Sequence, residues 1–256
     1  MATTSRPPSA KPAQALRSKQ NEAARQAVYI ATPTLDGSLD ARYVSALLQS
    51  ADALRAQRIH YEIGFELGNS LIADARNQLA SRFLRSGCTD LVFIDSDLAW
   101  QPADLLRLLA WPVPLVAGVY QRKSAKLDFA VKFGPRIVPR GELITAERVG
   151  TGFLRLRRDC LEKLAHAHPE WKLIDPKDPG NHRLHALFDT SIEDGQFIGE
   201  DFTFCNRWRA IGGEVLVDPK IRLAHYGLHA YDEPLTNHLK PNTSQSSGTS
   251  SGRSSA

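Results

Sequence analysis

The sequence predicts an α/β domain whose largely parallel β-sheet is covered by helices on both faces. The first observation is an alternation of short β-favouring segments with segments whose apolar residues recur at helical spacing. The second is the segment Leu91–Ile94, which is apolar at every position, as expected of a strand buried on both faces. A β-α-β-α-β order of this kind favours a parallel sheet, because each helix carries the chain back across one face.

The first half of the chain supplies four predicted strands with three helices between them. The β-favouring segment that begins at Val28 is stopped by Pro33. Pro102 suits the first position of a helix, where its missing N–H is not needed. In order, the predicted elements are strand 28–32, helix 41–57, strand 58–63, helix 70–84, strand 91–94, helix 102–109 and strand 115–120.

The second half is less regular, so the central sheet is predicted to be mixed but mostly parallel. The predicted elements here are strands 129–133 and 143–149, helix 158–166, helix 201–211, and strands 214–217 and 221–225. The segment 169–199 is polar and irregular and is predicted to be a long loop.

Composition limits the class of protein. Hydrophobic residues make up 42% of the 256 residues and charged residues 23%, which is ordinary for a globular domain. Residues 1–26 are rich in Pro, Ser, Ala and basic residues, and residues 239–256 in Ser, Gly and Thr. Both are predicted to be flexible tails around one domain at 27–238. The tails carry net charges of +4 and +2, which leaves −2 on the domain. We therefore expect no nucleic-acid partner.

The three cysteines, Cys88, Cys160 and Cys205, lie far apart in the sequence. Their odd number and the lack of Cys-x-x-Cys spacing argue against a disulfide framework and against a zinc site. Free cysteines fit a reducing compartment, so we expect a cytoplasmic protein. No segment has the roughly 20 consecutive apolar residues of a membrane span. Because the N-terminal tail is basic, peripheral association with the inner membrane face stays an open alternative.

The first candidate functional segment is Asp95-Ser96-Asp97, directly after the buried strand. Ligands of open α/β sheets bind beyond the carboxyl ends of strands. Carboxylates two positions apart point the same way if the strand conformation continues. One could then bind a divalent cation and the other a ribose hydroxyl or a metal-bound water. The alternative is a solvated loop in which Asp97 only helps to start the next helix.

Two further candidates lie in the second half of the chain. Glu200 and Asp201 begin a predicted helix, where the helix dipole alone also favours acidic residues. His225 ends a predicted strand, and a lone histidine there is more often structural than a ligand.

Taken together and in order, these segments resemble the glycosyltransferase-A fold, especially bacterial enzymes of the family 2 type. The resemblance covers about residues 27–232 and rests on six segments followed by a histidine near the end. They are Ile30-Ala31-Thr32-Pro33-Thr34, Ala73-Asp74-Ala75-Arg76-Asn77, Phe93-Ile94-Asp95-Ser96-Asp97, Ala117-Gly118-Val119-Tyr120-Gln121-Arg122-Lys123, Val149-Gly150-Thr151-Gly152-Phe153 and Gly199-Glu200-Asp201-Phe202, with His225 last.

The resemblance implies a Rossmann-like three-layer α/β/α domain. It also implies a metal-dependent glycosyltransferase, which moves a sugar from a nucleotide diphosphate sugar to a hydroxyl group. Asp97, with Asp95 and His225, would hold the cation, Mn²⁺ or Mg²⁺. Asp201, or Glu200, would be the general base on the acceptor hydroxyl. The donor-binding residues implied by the resemblance are Thr32, Pro33, Arg76, Asp95, Lys123, Gly150, Thr151 and Gly152.

The resemblance further implies a UDP- or GDP-linked donor and a saccharide or glycoconjugate acceptor, which we expect to be selected by 169–199. Glycosyltransferases of this fold include inverting and retaining enzymes, so the stereochemistry stays open. The main alternative is a nucleotidyltransferase of similar architecture, but the Gly-rich phosphate loop expected after its first strand is missing from the segment 32–37. The second is a non-catalytic nucleotide- or carbohydrate-binding protein, which fits less well because the acidic candidates and His225 occur together.

Overall fold

The computed structural model describes residues 26–124, 126–227 and 230–239. Its strands are β1 (Ala27–Thr34), β2 (His60–Leu67), β3 (Asp90–Ile94), β4 (Leu98–Trp100), β5 (Leu115–Ala117), β6 (Val131–Lys132), β7 (Pro139–Arg140), β8 (Leu143–Ala146), β9 (Arg148–Val149), β10 (Phe153–Arg157), β11 (Ser191–Glu193), β12 (Gln196–Ile198), β13 (Val215–Val217), β14 (Leu223–Tyr226) and β15 (Ala230–Tyr231). Its helices are α1 (Ala41–Ala56), α2 (Ile72–Arg85), α3 (Pro102–Ala110), α4 (Arg158–Ala167) and α5 (Glu200–Ala210), with 3₁₀ turns at Pro169–Trp171 and Leu235–His238.

Eight of these strands form the central sheet, in the order β2-β1-β3-β10-β5-β13-β8-β7. β1 is parallel to both β2 and β3, and β5 is parallel to β13. β10 runs antiparallel between β3 and β5, and β8 runs antiparallel to both β13 and β7. The prediction of a mixed, mostly parallel sheet is confirmed.

The core consists of two apolar layers, one on each face of the sheet. Side chains alternate along each strand, so Tyr29 and Ala31 of β1 belong to one layer while Val28 and Ile30 belong to the other. Helices α2, α4 and α5 pack on the first face, and α1 and α3 on the second. This arrangement confirms the predicted three-layer α/β/α domain.

The helix starts are set by local sequence. The carboxylate of Asp40 caps α1 by accepting a hydrogen bond from the backbone N–H of Arg42 at 2.8 Å. The backbone N–H of Asp40 donates to the carbonyl of Ser96 at 3.0 Å, which fixes this helix end against the segment that follows β3. Pro102 occupies the first position of α3, as predicted, and Asp104 accepts from the N–H of Gln101 at 3.1 Å.

Three of the differences from the sequence prediction in the second half concern the central sheet and the core. β10 was not predicted, although it lies in the middle of the sheet. The predicted strand 143–149 is broken into β8 and β9, which belong to different sheets. The predicted loop 169–199 contains the buried residues Leu184, Leu187 and Phe188 as well as the β11–β12 hairpin, so part of it is core.

Almost all of both predicted tails, 1–26 and 239–256, lies outside the described residues. At the two ends of the described part, the side chain of Gln26 donates to the carbonyl of Leu109 at 2.9 Å, and Leu239 packs against the core. Among the described residues, contacts with the domain therefore include one residue of each predicted tail. Among the described residues, no helix is both long enough and apolar enough to cross a membrane.

The unpredicted strand β10 carries a buried ion pair. The Nε atom of Arg155 lies 2.7 Å from Oδ1 of Asp90 on β3, and both side chains are less than 5% exposed. Arg155 also donates to the carbonyl of Val113, and Thr89 donates to the other oxygen of Asp90 at 2.6 Å. The charge of Asp90 is thus neutralised and hydrogen-bonded inside the core.

We predict that Arg155→Leu lowers the free energy of unfolding by about 3–5 kcal/mol, because it leaves the carboxylate of Asp90 buried without its partner. The matched control is Arg157→Leu on the same face of β10, since Arg157 is half exposed and should change stability by less than about 0.5 kcal/mol. Urea denaturation measures both. Equal stability of the two variants would contradict the role assigned to the pair.

Candidate functional site

Asp95 and Asp97 lie on a tight turn rather than on an extension of β3. The strand ends at Ile94, and the N–H of Leu98 donates to the carbonyl of Asp95 at 3.1 Å, so that β4 begins at once. The N–H of Asp95 donates to the carbonyl of Gly152 at 3.0 Å. The condition for the two carboxylates to point the same way is not met, and each has its own set of partners.

Asp95 faces a guanidinium from helix α2. Nη2 of Arg76 lies 3.2 Å from Oδ1 of Asp95, and Nε of Arg76 lies 3.1 Å from Oε1 of Glu200 at the start of α5. The side chain of Arg76 is 5% exposed, and its buried Nη1 atom has no hydrogen-bond partner among the described residues. Burial lowers the pKa of Arg76, but Asp95 and Glu200 outweigh that effect and raise the pKa above its usual value.

Asp201 is the other carboxylate at the start of α5. Burial and the adjacent charge of Glu200 raise the pKa of Asp201 to about 6. Since Glu200 is bound to Arg76 and Asp201 is not, the two neighbouring carboxylates have different environments. Asp201 lines a cavity of about 450 Å³ together with residues of the β11–β12 hairpin and three basic residues, Arg122, Lys132 and Arg148.

Asp97 is brought next to His225 by a strand pair that the sequence did not predict. β14 runs antiparallel to β4, so that His225 is paired with Leu98, and the N–H of Tyr226 donates to the carbonyl of Asp97 at 2.9 Å. Nε2 of His225 lies 3.3 Å from Oδ1 of Asp97, and Nζ of Lys123 contacts Oδ2. Burial raises the pKa of Asp97, but His225 and Lys123 outweigh it and hold the pKa below its usual value.

The hydrogen bonds of His225 test whether this pair could hold a cation. Nδ1 lies 2.9 Å from the carbonyl oxygen of Gln121, which can only accept, so Nδ1 carries the proton. With Nε2 protonated, His225 is an imidazolium that lowers the pKa of Asp97, as described above. In a neutral imidazole, Nε2 instead presents a lone pair to Asp97, whose buried Oδ1 accepts no hydrogen bond among the described residues. Two lone pairs at 3.3 Å repel unless a proton or a metal ion lies between them. A histidine held by a backbone carbonyl in this way is typical of metal ligands, and a carboxylate–imidazole pair therefore fits a divalent cation.

Asp95 does not complete a three-ligand group with this pair. Ligand atoms taken one from each of Asp95, Asp97 and His225 do not all lie within 4.8 Å of one another. A different trio in the described part of the chain does meet this distance. The position of Asp95 next to Arg76 leaves it a role at a ribose hydroxyl or at a metal-bound water, which stays a prediction.

The glycines of the segment Gly150-Thr151-Gly152 make room for side chains of the protein itself. A Cβ atom on Gly152 would lie 2.7 Å from Oδ2 of Asp95 and from the hydroxyl of Tyr120, and one on Gly150 would lie 2.7 Å from the same hydroxyl. Sequence reasoning missed Tyr120, which also contacts the ring of His225 at a centroid distance of 5.1 Å. Its only sequence signal was its place in the segment that ends at Lys123.

Two predicted donor residues lie deeper than expected. Thr32 and Pro33, near the end of β1, are both buried, and the hydroxyl of Thr32 is 2.5 Å from the hydroxyl of Tyr43. Thr151, in contrast, is buried but its Oγ1 atom has no hydrogen-bond partner among the described residues. Thr151 and Arg76 thus each keep one unpaired polar atom in this part of the molecule.

Comparison with known proteins yields structural neighbours only. No protein-family model matches the chain, and no curated protein matches it by sequence. A protein from STIV has a similar fold, with 17% identity over 79% of this chain and 86% of that chain and a TM-score of 0.47. A Drosophila β-1,4-galactosyltransferase 7 mutant in complex with manganese, UDP-Gal and xylobiose is 15% identical, with 86% and 76% of the two chains covered and a TM-score of 0.46.

A third neighbour is the inositol-1-phosphate CTP transferase from T. maritima, which is 8% identical, with 79% of this chain and 89% of that chain covered and a TM-score of 0.40. The neighbours thus include a glycosyltransferase and a nucleotidyltransferase. At these identities the likeness concerns the fold, so the activity has to be argued from the residues of this chain.

The raised pKa of Asp201 predicts a pH-dependent cost in stability. Below about pH 4 this carboxyl is protonated in both the folded and the unfolded chain and costs nothing. The cost grows as the pH rises from about 4 to about 6, because only the unfolded chain ionises freely there, and it reaches roughly 3 kcal/mol above pH 6. Asp201→Asn should therefore gain up to roughly this amount relative to wild type between pH 4 and pH 7.

Urea denaturation at several pH values measures this difference. The control is Asp194→Asn, an exposed carboxylate in the neighbouring hairpin, which should follow wild type at every pH. A stability difference for Asp201→Asn that does not depend on pH would show that Asp201 ionises normally.

Proposed function

We propose that this protein is a divalent-cation-dependent glycosyltransferase that moves a sugar from a nucleotide diphosphate sugar to a hydroxyl acceptor. The observation that carries the proposal is the buried guanidinium of Arg76, which connects the Asp95–Asp97 turn to the Glu200–Asp201 helix start. Such a link joins a cation-binding element and a candidate base in one site. The position of this site at the carboxyl ends of β1 and β3 is where open α/β sheets bind their ligands.

On the donor side, Asp97 and His225 would hold the cation, Mn²⁺ or Mg²⁺. When bound, the cation would neutralise the negative charge that develops on the leaving nucleoside diphosphate. Lys123 lies against Asp97, and the buried Nη1 atom of Arg76 has no hydrogen-bond partner among the described residues. Both side chains would contribute positive charge to the binding of the anionic oxygens of a UDP- or GDP-linked donor. Thr32, Pro33 and the segment 150–152 would shape the donor pocket from within.

On the acceptor side, Asp201 is the better candidate for the general base. A base is most effective when its pKa lies near the working pH, and the pKa of Asp201 is raised to about 6. Glu200 is held by Arg76 and would orient the site rather than take the proton. The cavity beside Asp201 is lined by the hairpin residues 196–198 and by Phe202, and it has room for a saccharide or glycoconjugate acceptor.

The two alternative functions would give different products. A nucleotidyltransferase would release pyrophosphate from a nucleoside triphosphate and a sugar phosphate, whereas a glycosyltransferase would release a nucleoside diphosphate from a nucleotide sugar. A binding protein would release neither. An assay of both reactions on the same preparation therefore separates the three functions even when the natural acceptor is unknown, because slow transfer to water still frees the nucleoside diphosphate.

We predict that UDP or GDP stabilises the protein only in the presence of Mn²⁺ or Mg²⁺. At about one hundred times its dissociation constant, the nucleotide should raise the melting temperature by roughly 5–10 °C, since it binds the folded state alone. Asp97→Asn should abolish this shift, and the control Asp128→Asn, at an exposed carboxylate paired with Arg122, should keep it. A shift that survives both chelation and Asp97→Asn would show that the metal assignment is wrong.

We further predict that Asp201→Asn lowers kcat for sugar transfer by roughly 10²–10⁴, the usual contribution of a general base, while donor affinity stays nearly constant. Steady-state kinetics and nucleotide-induced thermal shifts measure the two quantities separately. The matched variant is Glu200→Gln. If it loses transfer while Asp201→Asn does not, the roles of the two carboxylates are exchanged; if both variants are fully active, a retaining mechanism without this base is the better explanation.

A further inference from the structure

A second group of titratable side chains lies at the amino ends of the parallel strands, opposite the candidate site at their carboxyl ends. His60 and Glu62 are on β2, and Cys88 lies two residues before β3. His60 is the first residue of β2 and Cys88 precedes the start of the parallel β3, whereas Asp95 follows the end of that strand. This trio is therefore separate from the residues that serve the proposed function.

The fold brings the three residues together although they are far apart in sequence. His60 and Glu62 are two positions apart on one strand, so their side chains lie on the same face of the sheet. Cys88 is buried on the face of the sheet that α2 and α4 cover. In the sheet, β1 lies between β2 and β3. The thiol of Cys88 donates a hydrogen bond to Oε1 of Glu62, so Glu62 and Cys88 share the face that these helices cover.

The distances in this group match those between ligands of a tetrahedral zinc ion. Sγ of Cys88 lies 3.5 Å from Oε1 of Glu62, and Nε2 of His60 lies 3.7 Å from the same oxygen. Ligand bonds of about 2.3 Å to sulfur and about 2.1 Å to nitrogen and oxygen place a sulfur and an oxygen ligand of a tetrahedral ion about 3.6 Å apart, and a nitrogen and an oxygen ligand about 3.4 Å apart. One atom from each of the three residues lies within 4.8 Å of the other two.

We propose that His60, Glu62 and Cys88 bind a Zn²⁺ ion through Nε2, a carboxylate oxygen and the thiolate sulfur, with the fourth position open to water. Binding replaces the thiol proton, which is released to solvent, by the metal, and no electron is transferred. The carboxylate and the thiolate together balance the two positive charges of the ion. The occupied site then carries no net charge into the protein interior.

The three proposed ligands differ in exposure: two can be reached from solvent, and the third is buried. The side chains of His60 and Glu62 are 68% and 41% exposed, so an ion can reach them from solvent. Cys88 is fully buried and its thiol donates a hydrogen bond to Glu62, so it supplies the ligand that is shielded from solvent. A bound ion would tie the edge strand β2 to the segment before β3, and β1 lies between β2 and β3 in the sheet.

The test uses the full chain, freed of metal by chelation, and Co²⁺ as a spectroscopic probe for Zn²⁺. We expect Co²⁺ bound at this site to give a thiolate-to-cobalt charge-transfer band in the near ultraviolet and the strong visible bands of tetrahedral Co²⁺, both removed by added Zn²⁺. Asp97→Asn should leave these bands unchanged, which separates this site from the metal of the proposed function. Failure of the glycosyltransferase assays would not affect this result.

Two variants and two controls make the assignment specific. His60→Gln removes an exposed ligand without touching the core, so it should fold and should weaken Co²⁺ binding at least about tenfold. Cys88→Ser should abolish the charge-transfer band, whereas the controls His182→Gln and Cys160→Ser should retain it with wild-type affinity. The proposal is overturned if wild type gives no charge-transfer band, if the band persists in Cys88→Ser, or if His60→Gln binds Co²⁺ as tightly as wild type does.

Discussion

The candidate site depends on the ion pairs that the buried guanidinium of Arg76 forms. A positive charge in this position is costly unless it is paired, and the fold supplies two carboxylates, Asp95 from the turn after β3 and Glu200 from the start of α5. The pairing fixes two segments that lie far apart in the chain. It also divides the roles of two adjacent carboxylates: Glu200 is fixed by the pair, and Asp201 is left to face the cavity with a raised pKa.

The antiparallel strand β10 places the remaining parts of the site. Its first residue follows Gly152, so the strand holds the segment 150–152 against Asp95 and Tyr120 at the carboxyl end of β3. From the middle of β10, Arg155 forms the buried ion pair with Asp90 at the start of β3. One strand pair thus aligns the site and anchors the core, because its register fixes both ends at once.

The sequence predicted those parts of the molecule in which local pattern and tertiary burial agree. β1, β3 and the helices α1 to α3 have the expected periodicity, and Pro102 begins its helix as predicted. β10 was missed because Arg155 breaks its apolar pattern and its partner Asp90 is far away in sequence. The turn after β3 and the pairing of β4 with β14 depend on contacts between distant segments. The local pattern therefore indicated Asp97 and His225 only as separate candidates, and it was the resemblance that implied they share a site.

The same reasoning explains why the sequence did not predict the group of His60, Glu62 and Cys88. Metal sites are visible in a sequence when their ligands come from one turn or helix at fixed spacing. His60 instead comes from β2 and Cys88 from the segment before β3, and β1 lies between these two strands in the sheet. The two proposed metal sites also differ in ligand chemistry. A thiolate favours Zn²⁺, while the carboxylate and imidazole at Asp97 and His225 leave room for water and phosphate oxygens, the preferred neighbours of Mg²⁺ and Mn²⁺. Ions of different softness can therefore occupy opposite ends of one sheet without competing for the same ligands.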